Sequence, residues 1–129
     1  MKKIWLSILV GFFLITSLVC AAEKEKIAVA AEGKTVAAKV SGVAGRSPYF
    51  LLFDGAGKFL QAVDNPYKSA KGGAGTSVGL FLAQKGITVV VAGDFGEKMI
   101  QAMKDKGMQY LEFKGSAEEA LKKVLEANK

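Results

Sequence analysis

The chain has 129 residues, of which half are hydrophobic, a formal net charge of +6 and a single cysteine. This length fits one domain with a modest core and leaves no room for a second domain. Apolar runs alternate with Gly- and Lys-rich breaks, which excludes a disordered chain. A single Arg without a dense basic run argues against nucleic-acid binding.

The N-terminus has the order of a secretory signal peptide. Two lysines precede an apolar run over residues 4–19, and small residues at 20–22 come before a charged tetrapeptide. We predict a signal peptide over residues 1–22 and a mature domain over residues 23–129. The protein is therefore expected in the periplasm or outside the cell.

Two alternatives would place the protein at the membrane. The apolar run is shorter than the ~20 residues of a spanning helix, but an uncleaved signal would act as an anchor. Lipidation of Cys20 would do the same, although Leu18 and Val19 match a lipoprotein signal poorly. Cleavage after Ala21 or Ala22 would instead remove the only thiol, so that the domain needs no disulfide.

The first half of the mature chain indicates strands. Residues 27–30 form an apolar run typical of a buried strand, and residues 34–48 read as a loop with a short strand over 37–40. A hairpin follows, because Asp54-Gly55 suits a tight turn. Its strands are predicted over residues 49–53 and 58–63, with Asn65-Pro66 as the stop.

The second half alternates helices and strands. Thr76 or Ser77 is predicted to cap a helix that ends at Lys85-Gly86, and a helix with Met99 and Met103 on its apolar face ends at Gly107. The remaining predicted elements are a central strand over Ile87–Ala92, a strand over Met108–Phe113 and a last helix after Gly115-Ser116.

This order predicts an α/β fold with a mixed sheet, in which an antiparallel hairpin lies beside a parallel set. Ligands of such sheets tend to bind beyond the carboxyl ends of the parallel strands, where helices begin. The loops 72–77 and 93–98 are expected to converge there.

Four segments resemble the dinitrogenase iron-molybdenum cofactor biosynthesis family, the NifX-like domains also found at the end of NifB. They are the opening strand 26–30, the Gly-Arg-Ser-Pro-Tyr-Phe segment 45–50, the loop Gly72–Gly75 and the run 82–91. The resemblance spans residues 26–125. It implies a ribonuclease-H-like fold with a five-stranded mixed sheet and three helices, and a carrier of iron-molybdenum or other metal-sulfur clusters that is not an enzyme.

The resemblance also implies a site around Gly45–Ser47, the glycine-rich loop and the turn after the central strand. This chain departs from the family at Val43-Ala44, where members usually have His-Phe, and it has no histidine at all. Without His, and without Cys after cleavage of the signal peptide, binding of a metal-sulfur cluster or oxyanion must use charge, backbone amides or thioethers. The predicted site residues are Arg46, Ser47, Lys71, Gly73, Gly75 and Lys98.

Met99 and Met103 are weak candidates for a copper(I) site, because thioethers bind soft metals. Core packing is the favoured interpretation of both, since Met fills gaps between helix and sheet. Gly33-Lys34-Thr35 matches a relaxed phosphate-loop pattern, but no helix is predicted to start there. Two-metal nuclease chemistry needs several convergent carboxylates, and only Asp94 ends the central strand.

The sequence thus predicts an exported binding or carrier protein without a catalytic centre. Its predicted ligand is an anionic metal cluster or oxyanion, and the sequence is also compatible with a protein partner. The alternative is a scaffold or interaction module that has kept the fold and lost the ligand.

Overall fold

The computed structural model describes residues 25–127, so the predicted signal peptide lies outside the described residues. It contains five strands and three helices, and the last two strands alternate with the three helices in the second half of the chain, as predicted. In chain order the elements are β1 (Lys26–Ala31), a 3-10 helix (Ala44–Arg46), β2 (Tyr49–Asp54), β3 (Phe59–Asp64), α1 (Ala74–Gln84), β4 (Val89–Ala92), α2 (Glu97–Asp105), β5 (Gln109–Glu112) and α3 (Ala117–Ala127).

The strands form one mixed sheet in the order β3-β2-β1-β4-β5. β1 pairs antiparallel with β2 and parallel with β4, so that Ala28 lies opposite both Leu52 and Val90. β3 continues the antiparallel side, with a register irregularity next to Leu52, and β5 continues the parallel side. The predicted hairpin beside a parallel set is therefore confirmed.

The two faces of the sheet bury separate apolar clusters, because successive side chains of a strand point to opposite faces. One cluster joins Ala28 and Ala30 of β1 to Val78 and Leu82 of α1 and to both Met99 and Met103 of α2. The other joins Ile27 and Val29 to Ala117, Ala120 and Val124 of α3. Helices α1 and α2 thus cover one face and α3 covers the other.

Three sequence predictions need correction. Neither Thr76 nor Ser77 caps α1, which begins two residues earlier behind Gly73 and has no side-chain cap. The run over Ile87–Ala92 becomes a strand only from Val89, and the middle strand of the sheet is β1. The segment 37–40 contributes isolated bridges at Lys39 and Val40 in place of a strand.

Glu32 to Thr35 form bends and no helix follows, so the phosphate-loop interpretation of Gly33-Lys34-Thr35 fails on the context that it needs. Within residues 25–127 no helix has the length and apolarity to cross a bilayer.

Candidate anion-binding site

A pocket of about 390 Å³ opens at the carboxyl edge of the parallel strands, on the side of α1 and α2. Three segments line it: the 3-10 helix, the start of α1 and the start of α2. The lining residues are Val43, Gly45, Arg46, Gly73, Ala74, Gly75, Gly96, Glu97, Lys98 and Met99. The loops 72–77 and 93–98 therefore do meet at this edge, as the parallel topology predicts.

Glycines bring the three segments into close contact. A Cβ atom at Gly45 would lie 3.2 Å from the amide nitrogen of Gly75, and one at Gly75 would lie 3.0 Å from the Cβ of Met99. Gly73, the N-cap residue of α1, has a φ of 69°, a left-handed conformation that glycine adopts at little cost. Larger residues here would separate the segments or cover the α1 amides.

Among residues 25–127, no group accepts a hydrogen bond from the first-turn amides of α1 and α2. The first helical bond of α1 runs from the Ser77 N–H to Gly73, and that of α2 runs from the Ile100 N–H to Gly96, each at 3.0 Å. The three amides before each of these donors precede the helical ladder. Neither Gly73 nor Gly96 has a side chain that could accept from them.

Helix α3 shows the opposite arrangement. The Ala117 and Glu118 amides donate to the carbonyls of Ala38 and Val36, at 2.8 and 2.9 Å. The Glu119 amide donates to Ser116 Oγ at 3.2 Å, and the Glu119 carboxylate accepts from the Ser116 amide at 3.0 Å, which is a capping box. The helix that faces away from the pocket is fully capped, whereas both helices that start at the pocket are open.

The hydrogen bonds from the Ser116 amide and hydroxyl lower the pKa of Glu119. This carboxylate therefore caps the N-terminus of α3 and does not line the pocket.

Arg46 both lines the pocket and supports the neighbouring loop. Its Nη1 donates to the carbonyl oxygens of Lys68, at 3.1 Å, and of Ala70. A guanidinium has five N–H donors, so Nε and Nη2 remain for a ligand. Arg46 is thus held in place by the chain that leads to the glycine-rich loop.

Asn65 organises the same region and was not predicted from the sequence beyond its role as a strand stop. Its side chain is buried, and Nδ2 donates to the carbonyls of Gly45 at 3.1 Å and Ser47 at 2.9 Å. Its Oδ1 accepts from the Tyr67 amide at 2.9 Å. The Asn65-Pro66 pair after β3 is the sequence feature that could have indicated this role, since Asn before Pro favours a turn in which the Asn side chain hydrogen-bonds the backbone.

The predicted site residues do not all reach the pocket. Arg46, Gly73, Gly75 and Lys98 line it together. Ser47 is fully buried, and its hydroxyl lies 2.7 Å from the carbonyl oxygen of Tyr49, to which it donates. Lys71 is exposed on the loop before α1 and does not line the pocket.

The methionines are core residues. Met103 is fully buried and Met99 is 1% exposed, at the inner wall of the pocket. Both side chains therefore pack in the core between the helices and the sheet. Within residues 25–127 no group of three or more His, Cys, Asp or Glu side chains could hold a metal ion.

A larger cleft of about 730 Å³ lies beside the pocket, at the same edge of the sheet. Its charged lining residues are Glu32, Asp94, Lys39 and Lys114. The two signs are balanced, and the helix that begins next to Gly115, α3, has acceptors for its first-turn amides. This cleft therefore does not favour an anion in the way that the smaller pocket does.

The pocket therefore combines five first-turn amides that have no acceptor within the described chain, those of Ala74, Gly75, Glu97, Lys98 and Met99. It adds two cationic side chains and one carboxylate, that of Glu97. Free amides at helix N-termini carry partial positive charge and bind anions, and a guanidinium adds a directed charge-assisted donor. This donor set is chemically able to bind a multivalent anion through the outer atoms of that anion.

Comparisons with known proteins agree with the fold. Residues 25–127 match the sequence profile of the family described as dinitrogenase iron-molybdenum cofactor. No curated protein matches the chain significantly.

Solved structures are similar over most of the described chain. The apo form of the orange protein from Desulfovibrio gigas is 30% identical with a TM-score of 0.70, over 79% of this chain and 88% of that one. A putative NifB protein from Thermotoga is 27% identical with a TM-score of 0.67, over 78% and 87% of the two chains. A putative dinitrogenase from Methanocaldococcus jannaschii, at 12% identity and a TM-score of 0.53, shares the fold alone. The chain belongs to the dinitrogenase iron-molybdenum cofactor family.

Proposed function

We propose that this protein is an exported carrier that binds an anionic metal-sulfur cluster, of the iron-molybdenum type, or a related oxyanion in the pocket between α1 and α2. The observation that carries the proposal is the convergence of two open helix N-termini on one pocket, whereas α3 is fully capped. Family membership supports a cluster as the cargo.

The pocket residues bind the outer sulfide or oxide atoms of the cargo and do not coordinate its metal ions. The chain has no histidine, and its one cysteine, Cys20, belongs to the predicted signal peptide. Sulfide or oxide atoms at the surface of a cluster accept hydrogen bonds, so the α1 and α2 amides, Arg46 and Lys98 are suitable donors. Nothing in this set performs bond chemistry, and the proposed role is binding and release.

Gly45 gives a specific test of this proposal. Alanine at position 45 would place a methyl group 3.2 Å from the Gly75 nitrogen and cover that amide. The Gly45 φ is not positive, so the backbone itself accepts alanine. We expect Gly45→Ala to weaken anion binding by about tenfold, the worth of one charge-assisted hydrogen bond.

The assay is anaerobic incubation with tetrathiomolybdate, with and without copper(I), followed by desalting, visible spectroscopy and metal analysis. Gly42→Ala is the matched control, because a Cβ atom there meets nothing within 4 Å. Retention by the wild type and by Gly42→Ala, with loss in Gly45→Ala, supports the proposal. If the wild type retains no molybdenum and no absorbance with this ligand, with molybdate or with iron and sulfide, the carrier function is wrong.

The location is tested separately. The signal-peptide order of the N-terminal residues supports export. We therefore expect the protein in the periplasmic or extracellular fraction of its host. Mass spectrometry should show a mature N-terminus directly after residue 21 or 22. Recovery of the intact chain from the cytosol would contradict export without affecting the ligand assay.

A further inference from the structure

Helix α1 has an uncharged outer face, with an exposed leucine at its centre, that no part of the described chain covers. The helix carries no charged residue over Ala74–Gln84. Val78 and Leu82 are buried against the sheet, but Leu80 on the outer side is 41% exposed. A surface helix normally shows charged side chains to solvent, so an uncharged outer face with an exposed leucine indicates a missing partner.

The shape of this face suits a helix. Gly79 lets α1 approach α2 so closely that a Cβ atom there would lie 3.0 Å from that of Ala102. Leu80 borders two hollows, of about 450 and 390 Å³, and Lys106 borders both as well. We call this surface, lined by Thr76, Leu80, Ala83, Gln84, Lys98, Gln101, Ala102, Asp105 and Lys106, the α1 groove. The two hollows can receive the side-chain ridges of another helix, with Leu80 packed between them.

The charge around the α1 groove is mostly positive. Lys98 and Lys106 line it, and the Nζ of nearby Lys85 lies 5.0 Å from the ring centroid of Phe81. The acid in the lining, Asp105, accepts a hydrogen bond from Gln101 at 2.9 Å. Residues 65–93 contain lysines and no acid. Two such basic rims repel each other, so the charge disfavours a second copy and favours an acidic partner.

We propose that the α1 groove is the docking site of an acidic amphipathic helix from a partner protein. Its apolar side chains enter the two hollows beside Leu80, and its carboxylates face Lys98 and Lys106. Because Lys98 also lines the anion pocket, the docked helix lies beside the mouth of that pocket. The proposal stands apart from the carrier function, since its test uses protein to which no anion has been added.

The test measures binding of a labelled synthetic helix by fluorescence anisotropy. The probe is a peptide of about 18 residues, long enough to form a helix, with leucines on one face and glutamates elsewhere. A second peptide has the same leucines and lysines in place of the glutamates. We expect the acidic peptide alone to bind, with an affinity that falls as salt is added.

Variants locate the site. Leu80→Glu and Leu80→Gln remove the central apolar contact, and we expect about 30-fold weaker binding from the loss of such an anchor. Lys106→Glu should weaken binding severalfold and reduce its salt dependence. Lys122→Glu on the exposed side of α3 is the matched charge reversal and should leave the affinity unchanged. Circular dichroism melts verify that each variant is folded.

Three results would overturn the proposal. They are failure of the acidic peptide to bind, equal binding of the acidic and basic peptides, and binding that neither Leu80 variant weakens. Vesicles of anionic phospholipid provide the other class of partner. If they bind and lose binding in Leu80→Glu while the acidic peptide does not bind, the groove is a membrane contact and the partner-helix assignment is wrong.

Discussion

Substitution of Gly96 by Asp is expected to stabilise the protein and weaken its anion binding at the same time. Gly96 is the N-cap residue of α2, with a φ of −72° and a ψ of 155°. A Cβ atom there would meet nothing within 4 Å. Aspartate is a preferred N-cap residue in this backbone conformation, because its carboxylate accepts from the amides two and three positions later.

The stabilisation has three sources. Aspartate improves on glycine as a cap by a few tenths of a kcal/mol, its charge at the helix N-terminus adds about 0.3–1 kcal/mol, and the loss of glycine from the unfolded chain adds about 0.4–1 kcal/mol. Their sum is about 1–2 kcal/mol. For a domain of roughly this size each kcal/mol raises the melting temperature by about 4–8 °C.

The effect on binding has the opposite sign. The new carboxylate occupies the Lys98 and Met99 amides and adds negative charge to the pocket. Loss of a charge-assisted hydrogen bond costs about 1.5–3 kcal/mol, which corresponds to at least about tenfold weaker binding. Gly96→Ala is the control, since it shares the effect on the unfolded chain but has no capping oxygen. It should keep its anion affinity.

Thermal melts and equilibrium retention of tetrathiomolybdate measure the two effects on the same samples. If Gly96→Asp is more stable and binds the anion as tightly as the wild type, the α2 amides do not contact the cargo. If it is less stable than Gly96→Ala, the capping geometry is wrong.

Three further predictions concern the fold. Gly93→Ala should destabilise the protein by about 1–3 kcal/mol, because its Cβ atom would lie 3.0 Å from the backbone of Gly42. Gly42→Ala is the control, since its Cβ atom would meet no neighbour within 4 Å. Urea unfolding measures the stability of both variants, and equal stabilities would contradict the close packing at Gly93. Glu119→Gln should be less stable than the wild type at neutral pH, because the hydrogen bonds from Ser116 favour the carboxylate form of Glu119. The difference in stability should shrink as the pH falls through the lowered pKa of Glu119. Melting temperatures at a series of pH values test this, and a pH-independent difference in melting temperature would refute it. Asn65→Ala should lower the free energy of unfolding by about 1–3 kcal/mol, because it leaves the buried carbonyls of Gly45 and Ser47 without their donor. If urea unfolding finds the variant as stable as the wild type, water has replaced the side-chain amide of Asn65.

Much of the fold follows from local patterns. The apolar runs identified the strands, and the connection of β4 and β5 through α2 implied their parallel pairing, which is why the convergence of the loops 72–77 and 93–98 could be predicted. The start of α1 could not, because the sequence signal for a cap is a polar side chain and the actual N-cap residue is Gly73.

The site itself was less predictable, because side-chain direction depends on tertiary structure. Arg46 and Ser47 are adjacent, yet the 3-10 helix leaves Arg46 exposed and buries Ser47 completely. Asn65 is distant in sequence from the turn that its side chain supports. The open amides of α1 and α2 belong to the backbone and leave no mark in the residue pattern beyond the glycines themselves.

The open helix N-termini have a consequence for where such a protein can work. Backbone amides neither titrate nor oxidise under physiological conditions, unlike the imidazoles and thiolates of ordinary metal sites. Capture through Ala74, Gly75, Lys98 and Met99 amides should therefore have nearly the same strength across the acidic and oxidising conditions met outside a cell. Any pH dependence of loading would then come from the cargo or from the side chains around it, since the amides have no proton equilibrium in that range.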